Sequence, residues 1–217
     1  EKNHTLKTDY TNNQKELIKN HVNYIINFID YYNETNKNKK SEALIQKEVL
    51  EIIEKLRVNE NPNEYIFIYD FNGNLVQDAI AKKDNIGHNY LNIKDIKGKE
   101  VVKELITTSK RNLGGYVEYV WLKPEISKQT TKISYALSYN KWNWTIGKGV
   151  YLDEIDKLIK EKEEDYNQKI SNYTLQITSL TIMLVLYSIF IYKNATILIV
   201  NDVKEIGKYF KESQKNN

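Results

Sequence analysis

The feature that most constrains this chain is the stretch from Gly114 to Tyr151, which holds all three tryptophans. Three segments within it, Tyr116–Trp121, Ile133–Tyr139 and Trp142–Tyr151, are rich in aromatic and β-branched residues and read as strands. Gly114-Gly115, a loop at Pro124 and the pair Asn140-Lys141 punctuate them. The pattern predicts a three-stranded antiparallel meander whose first connection is a long loop and whose second is a two-residue turn. The chain then passes directly into Leu152-Asp153-Glu154-Ile155, which opens a helix.

Upstream, Leu6 to Tyr32 reads as one long helix, with Ile18, Val22, Ile25, Ile29 and Tyr32 at helical spacing. Ser41 is placed to cap a second helix whose stripe is Ile45, Val49, Ile52, Ile53 and Leu56, stopped at Asn61-Pro62-Asn63. Tyr65–Tyr69 and Asn74–Gln77 form two short strands around the turn Asp70-Phe71-Asn72-Gly73. Ala81 to Lys97 is a long connection, a length that is often functional. Lys99 to Lys110 predicts a short helix buried through Val101, Val102, Leu105 and Ile106.

After Tyr151 the chain is helical and charged as far as Lys169. Leu175 to Tyr192 is then apolar apart from Gln176 and hydroxyl side chains, about 18 residues, the lower end of a bilayer span. Ile182 to Leu186 is apolar on every face, which a solvated helix would not be. Lys204, Lys208, Lys211 and Lys215 follow, and Glu161 to Asp165 precede it. The excess of lysine predicts a cytoplasmic C-terminus and an external N-terminal part. The expected layout is 1–60 N-terminal helices, 61–160 sheet domain, 161–174 linker helix, 175–192 transmembrane helix and 193–217 cytoplasmic juxtamembrane helix. The chain opens on Glu1 without a signal-peptide pattern, so a fragment or a processed chain is expected.

Composition excludes several classes. With 32 basic and 29 acidic residues the net charge is +3, too balanced for a nucleic-acid footprint. The absence of cysteine rules out disulfides and thiolate metal sites. His4, His21 and His88 are scattered, and neither a metalloprotease motif nor a nucleophile elbow occurs. Gly147-Lys148-Gly149 lies within a strand and is not a phosphate loop. No catalytic residue, metal or cofactor is expected.

A small-molecule pocket is the better candidate. Tyr119, Trp121 and Lys123 share one sheet face, as do Tyr65, Phe67 and Tyr69. Ser134, Ala136 and Ser138 face away from Ile133, Tyr135, Leu137 and Tyr139. Such aromatics can enclose a ligand while their hydroxyls and indole N–H orient it. The candidate binding residues are Tyr65, Phe67, Tyr69, Asp78, Tyr119, Trp121, Lys123, Tyr135 and Ser138. Lys123 could neutralise a carboxylate. If Asp78 points into the pocket beside it, a neutral amide or an amine is favoured; if Asp78 faces solvent, a short carboxylate is. The competing reading is that these aromatics are only core.

The same block carries a resemblance. Gly115, Tyr116, Val117, Tyr119, Trp121, Lys123 and Pro124, then Lys132, Ser134 and Tyr135, then Trp142, Trp144, Ile146, Gly147, Gly149, Val150, Tyr151, Asp153, Glu154 and Ile155 follow in order a pattern that resembles the single Cache domain family. These are extracytoplasmic ligand-sensing modules of bacterial receptors. The family often has His-Pro after its first hairpin, where this chain has Asp78-Ala79. The resemblance implies an α/β (α+β) fold: a PAS-like five-stranded antiparallel sheet with a long N-terminal helix, a second helix, and a C-terminal helix running into one transmembrane span. It implies sensing of a short carboxylate, amide or amine in the periplasm by a receptor of the bacterial inner membrane. It also implies a homodimer joined through the long helices and an output module, a histidine kinase, chemotaxis transducer or diguanylate cyclase, outside this chain, the kinase being favoured. The alternative is a membrane-anchored periplasmic adaptor without a ligand.

Overall fold

A computed structural model describes residues 2–55, 63, 65–78 and 85–213, with side chains from 7 to 208. Leu56, the Asn61-Pro62 stop, Ala79, the start of the long connection at 81–84, and the side chains of His4, Phe210 and Lys211 lie outside the described residues, as does Lys215.

Helix α1 runs from Lys2 to Asn36 and α2 from Glu42 to Lys55. Their apolar stripes fall where the spacing put them: Ile18, Val22 and Ile29 on α1 and Ile45, Val49 and Ile53 on α2 are buried. Ser41 Oγ accepts from the Leu44 N–H at 3.4 Å, a weak form of the expected cap.

The sheet has five strands: β1 (Ile66–Asp70), β2 (Leu75–Asp78), β3 (Gly115–Lys123), β4 (Lys128–Tyr139) and β5 (Trp144–Tyr151). Their order is β2-β1-β5-β4-β3 and every pairing is antiparallel. The α+β expectation therefore holds.

Both meander connections differ from the sequence reading. The first is short: Lys123 pairs with Lys128, leaving only residues 124–127 as the loop. The polar residues Gln129, Thr130 and Thr131 extend the ladder because an edge hairpin needs backbone partners, not two buried faces. The second is longer than two residues. Tyr139 pairs with Trp144, and residues 140–143 form a 3-10 turn that ends on Asn143 at φ 54°. The turn drops Trp142 into the core, its ring 5.1 Å from Tyr139 and 4.8 Å from Trp144. Packing of that indole outweighs the local turn signal at Asn140-Lys141.

Each sheet face has its own core. On one, Ile68, Tyr139, Trp144 and Ile146 pack against α1 and α2. On the other, Tyr65, Phe67, Tyr69, Val117, Tyr119 and Ala136 meet Val101, Val102, Leu105 and Ile106 of α3 (Val101–Ser109). The cavity described below lies on this second face.

Helix α4 begins directly after β5 and spans Leu152 to Ser213. Residues up to Lys160 belong to the first compact unit; a second unit begins at Glu161. In the second unit the large apolar side chains from Leu175 to Val200 are all exposed. α4 is the one helix among the described residues long and apolar enough to cross a membrane.

Candidate ligand-binding cavity

The α3 side of the sheet encloses a cavity. β1 and the residue before it supply Tyr65, Phe67 and Tyr69; β3 supplies Tyr119 and Trp121; β2 supplies Asp78; α3 closes it with Val101, Val102 and Leu105. The space measures about 240 Å³ with its mouth included, and its interior has room for about one water. A ligand of several heavy atoms requires a ring to turn aside. The rings pack tilted or edge-on, Phe67 to Tyr69 at 5.9 Å and Tyr119 to Trp121 at 5.8 Å.

Asp78 reaches this face through a β-bulge. Tyr69 pairs with Leu75, but Ile68 pairs with Gln77 and Phe67 with Asp78, so Val76 is the extra residue. Strict alternation would put Asp78 on the face opposite Leu75. The bulge brings it to the side of Phe67. Burial, reinforced by the Asp78 charge, pushes the hydroxyls of Tyr65 and Tyr69 well above their usual range. Burial also raises Tyr119 and Tyr151, the latter to about 12. All four are therefore protonated hydroxyls at neutral pH, and that of Tyr151 already donates to the Leu122 carbonyl at 2.8 Å. Tyr119 Oη already shares a 2.8 Å hydrogen bond with Ser134 Oγ.

Beside these rings lies a group outside the candidate set. Lys132, on β4, is fully buried. Its Nζ stands 3.8 Å from the Tyr65 ring centroid, 4.9 Å from that of Tyr151 and 5.7 Å from that of Phe67, with no hydrogen-bond partner among the described residues. Contact with π-faces recovers part of the lost hydration of an ammonium, but not its hydrogen bonds. Burial pulls its pKa down to about 7; the charges of Asp78 and Glu154 oppose the fall, and Lys148 adds to it. Two glycines of β5 make the space. A Cβ on Gly149 would stand 2.1 Å from Ser134 Oγ and 2.7 Å from Lys132 Cε, and one on Gly147 would stand 2.3 Å from Phe67 Cζ.

Six of the nine candidate residues come together here: Tyr65, Phe67, Tyr69, Asp78, Tyr119 and Trp121. Three do not. Lys123 turns to the start of α4, where its Nζ bonds Asp153 at 2.9 Å and meets Glu154 at 3.3 Å. Burial pulls its pKa down, but those two carboxylates more than offset the fall. Glu154 also accepts from Asn63 Nδ2 at 2.6 Å, so this cluster ties the end of β3 to α4. Tyr135 sits on the α1 side, its ring 5.2 Å from Tyr116 and its hydroxyl donating to the Leu113 carbonyl. Ser138 pairs with Thr145 towards the far end of β4.

Lys132 and Tyr151 were legible in principle. Lys132 alternates with Ser134, Ala136 and Ser138, and across the ladder this small-residue face meets Gly149 and Gly147. A lysine set among such neighbours has room to lie inward. A lysine in a polar run ordinarily reads as solvated, which hides it. A second concavity, an open groove of about 990 Å³ with its mouth included, lies between α2 and β2 beside Leu50, Glu54, Val76 and Asp78. No cluster able to hold a metal ion occurs among the described residues.

The profile of the family described as Single Cache domain 2 matches residues 10–165. The chain is 40% identical over 91 residues to the sensor histidine kinase MctS of Rhizobium johnstonii, covering 42% of this chain and 19% of that protein. It is 29% identical over 116 residues to the methyl-accepting chemotaxis protein McpP of Pseudomonas putida, covering 53% of this chain and 21% of that protein. It thus spans about a fifth of the length of the curated relatives it matches. Among solved structures, a methyl-accepting chemotaxis protein from Vibrio parahaemolyticus aligns with TM-score 0.61 and 25% identity, covering 71% of this chain and 99% of that one. A Cache chemosensory domain described for carboxylic acid recognition aligns with TM-score 0.56 and 24% identity, covering 68% and 97%.

Proposed function

The chain belongs to the Single Cache domain 2 family, and from that premise we propose that its α3-side cavity binds a small carboxylate-bearing metabolite in the periplasm. The observation that carries this reading is the Lys132 amino group, wholly buried among aromatic rings and without an acceptor among the described residues. A core built only for stability gains nothing from such a group, since an apolar residue of similar volume would be cheaper to bury. A carboxylate at Nζ supplies the missing partner, and the tyrosine hydroxyls donate to it as well. The tightness of the cavity is what an adaptor with a filled core would show; the unpartnered amino group is what it would not.

Binding biases the sheet between two arrangements in proportion to the ligand's differential affinity for them. Lys123, Asp153, Glu154 and Asn63 join the end of β3 to the first turn of α4, which supports α4 as the output element. We place α4 across the bacterial inner membrane with its C-terminal lysines in the cytoplasm, by the excess of lysine beyond the span. The output, a histidine kinase or a chemotaxis transducer, belongs to the rest of the receptor. Pairing of two copies through α1 is supported by Asn13, Leu17, Asn20, Tyr24, Asn27 and Tyr31, all exposed and spaced alternately by four and three residues.

The test is thermal unfolding of the full chain in detergent, followed by tryptophan fluorescence, against small acids, amides and amines. At ~100 Kd a ligand that binds only the folded chain stabilises it by about 2.7 kcal/mol. Saturable stabilisation that Lys132→Ala abolishes supports sensing. Indifference to the whole panel favours the adaptor.

A further inference from the structure

One buried ring lies between the cavity residues and the start of α4. Tyr151 is the last residue of β5, and Leu152 opens α4 directly after it. Its side chain is fully buried. Tyr151 is the register partner of Lys132 across the β4–β5 ladder, so the two side chains stand on one face of the sheet. The Lys132 Nζ lies 4.9 Å from the centroid of the Tyr151 ring. The far end of the same ring reaches past β4. Its hydroxyl donates to the Leu122 carbonyl of β3 at 2.8 Å, and the Lys123 Nζ lies 5.7 Å from its centroid. The side chain therefore ties together β5 and β3, strands that are not neighbours in the sheet.

Both ends of this tie lead to the same turn of helix. The main chain of Tyr151 continues into Leu152. Leu122 continues into Lys123, whose Nζ bonds Asp153 and meets Glu154. A close-packed ring has no empty space in which to absorb the shift of a neighbour. The cavity interior has room for about one water, so a ligand that reaches Lys132 must displace its amine or a ring. A phenylalanine would fill the place of Tyr151 equally well; what the hydroxyl adds is the bond to Leu122.

We propose that Tyr151 is the positioning residue that passes occupancy of the cavity to α4, its ring following the Lys132 amine and its hydroxyl and main chain carrying the displacement to the first turn of the helix. This rests on the reading of the cavity as the ligand site and adds the side chain that connects the site to its output element.

Hydrogen exchange of the full chain in detergent, read by mass spectrometry with and without saturating acetate, tests the coupling. Acetate is the probe because it presents a carboxylate on a minimal tail. The amides of residues 156–160 donate to the carbonyls of 152–156 in a continuous α-helix, so their exchange reports the start of α4. Acetate is expected to change that exchange in the parent by at least about fivefold, the low end of coupling between linked sites. Tyr151→Phe keeps the ring and loses the bond to Leu122. It is expected to bind acetate within about fivefold of the parent by calorimetry, while the acetate-dependent change at 156–160 disappears. A hydroxyl that only stabilised the fold would alter exchange equally in both states and leave the difference between them in place. Lys123→Ala, which cuts the second link, is expected to shrink the same difference, and it serves if the Phe variant fails to fold. Acetate that binds the parent without altering exchange at 156–160, or a folded variant of either kind that keeps the full difference, overturns the coupling and leaves the cavity reading intact. Failure of acetate to bind the parent overturns both.

Discussion

The Lys132 Nζ stands 3.8 Å from the centroid of the Tyr65 ring with no hydrogen-bond acceptor among the described residues, and burial lowers its pKa to about 7 from an ordinary 10.5. Unfolding returns the lysine to water. Between about pH 7 and 10.5 the unfolded chain holds a proton that the folded chain lacks, so this group favours folding progressively more as pH rises through that window. Below pH 7 its full penalty remains. Lys132→Met removes the dependence. The melting temperature of the Met variant, read by tryptophan fluorescence, is expected to exceed that of the parent most at pH 6, with the gap closing by pH 10. A gap that stays constant with pH would refute the buried, unpaired state of the amine.

Ligand binding at Lys132 is expected to take up a proton. A carboxylate beside Nζ restores the charged form, so at pH 8 uptake approaches one proton per site. Titration of the full chain in two buffers of unequal ionisation enthalpy measures it. Identical heats in both would contradict a carboxylate at this amine.

Lys123 and Lys132 are expected to separate cleanly. Lys123→Ala leaves Asp153 and Glu154 without their cation at a largely buried contact. Because Asp153 is partly exposed, a loss of ~1–3 kcal/mol is expected, below that of a fully buried pair. Ligand affinity should change by less than about threefold on the view that this lysine does not touch the ligand. A large loss of affinity in a folded Lys123→Ala variant would return Lys123 to the site.

Gly149→Ala is expected to act on the cavity through Lys132. The added Cβ conflicts with Ser134 Oγ at 2.1 Å and Lys132 Cε at 2.7 Å, so the lysine stem must move. Overpacking of this kind costs ~1–3 kcal/mol. Combined with Lys132→Ala, which vacates the stem, the penalty should shrink in denaturant titrations. Full additivity of the two changes would mean that the glycine does not serve the lysine.

Tyr24→Glu on the exposed stripe of α1 is expected to weaken pairing of copies without unfolding the sheet domain, since Tyr24 is 69% exposed. Sedimentation of the detergent-solubilised chain reads the change. A parent that sediments as a monomer would remove the proposed interface.

The strands and helices were legible because their burial is one-sided. The alternation in Tyr65–Tyr69 and the 3.6-residue stripe Ile18–Val22–Ile29 each record which side meets the core. The connections were not, because Trp142 follows a tertiary demand and the extension of β3 and β4 follows backbone pairing. At the cavity, aromatics from two strands were legible as a shared face. The side of Asp78 was not, since a one-residue bulge reverses it. Lys123 and Lys132 both stand on strands with the same chemistry, and only their neighbours distinguish them: two carboxylates for one, rings and glycines for the other.

The most direct measurement is a crystal structure of the chain with the tightest-binding member of the panel of acids, amides and amines. Density for the ligand carboxylate within hydrogen-bonding reach of Lys132 Nζ, among Tyr65, Tyr119 and Trp121, is the expected result. A ligand lying instead in the groove between α2 and β2, or at Lys123, with Lys132 still lacking an acceptor, would contradict it.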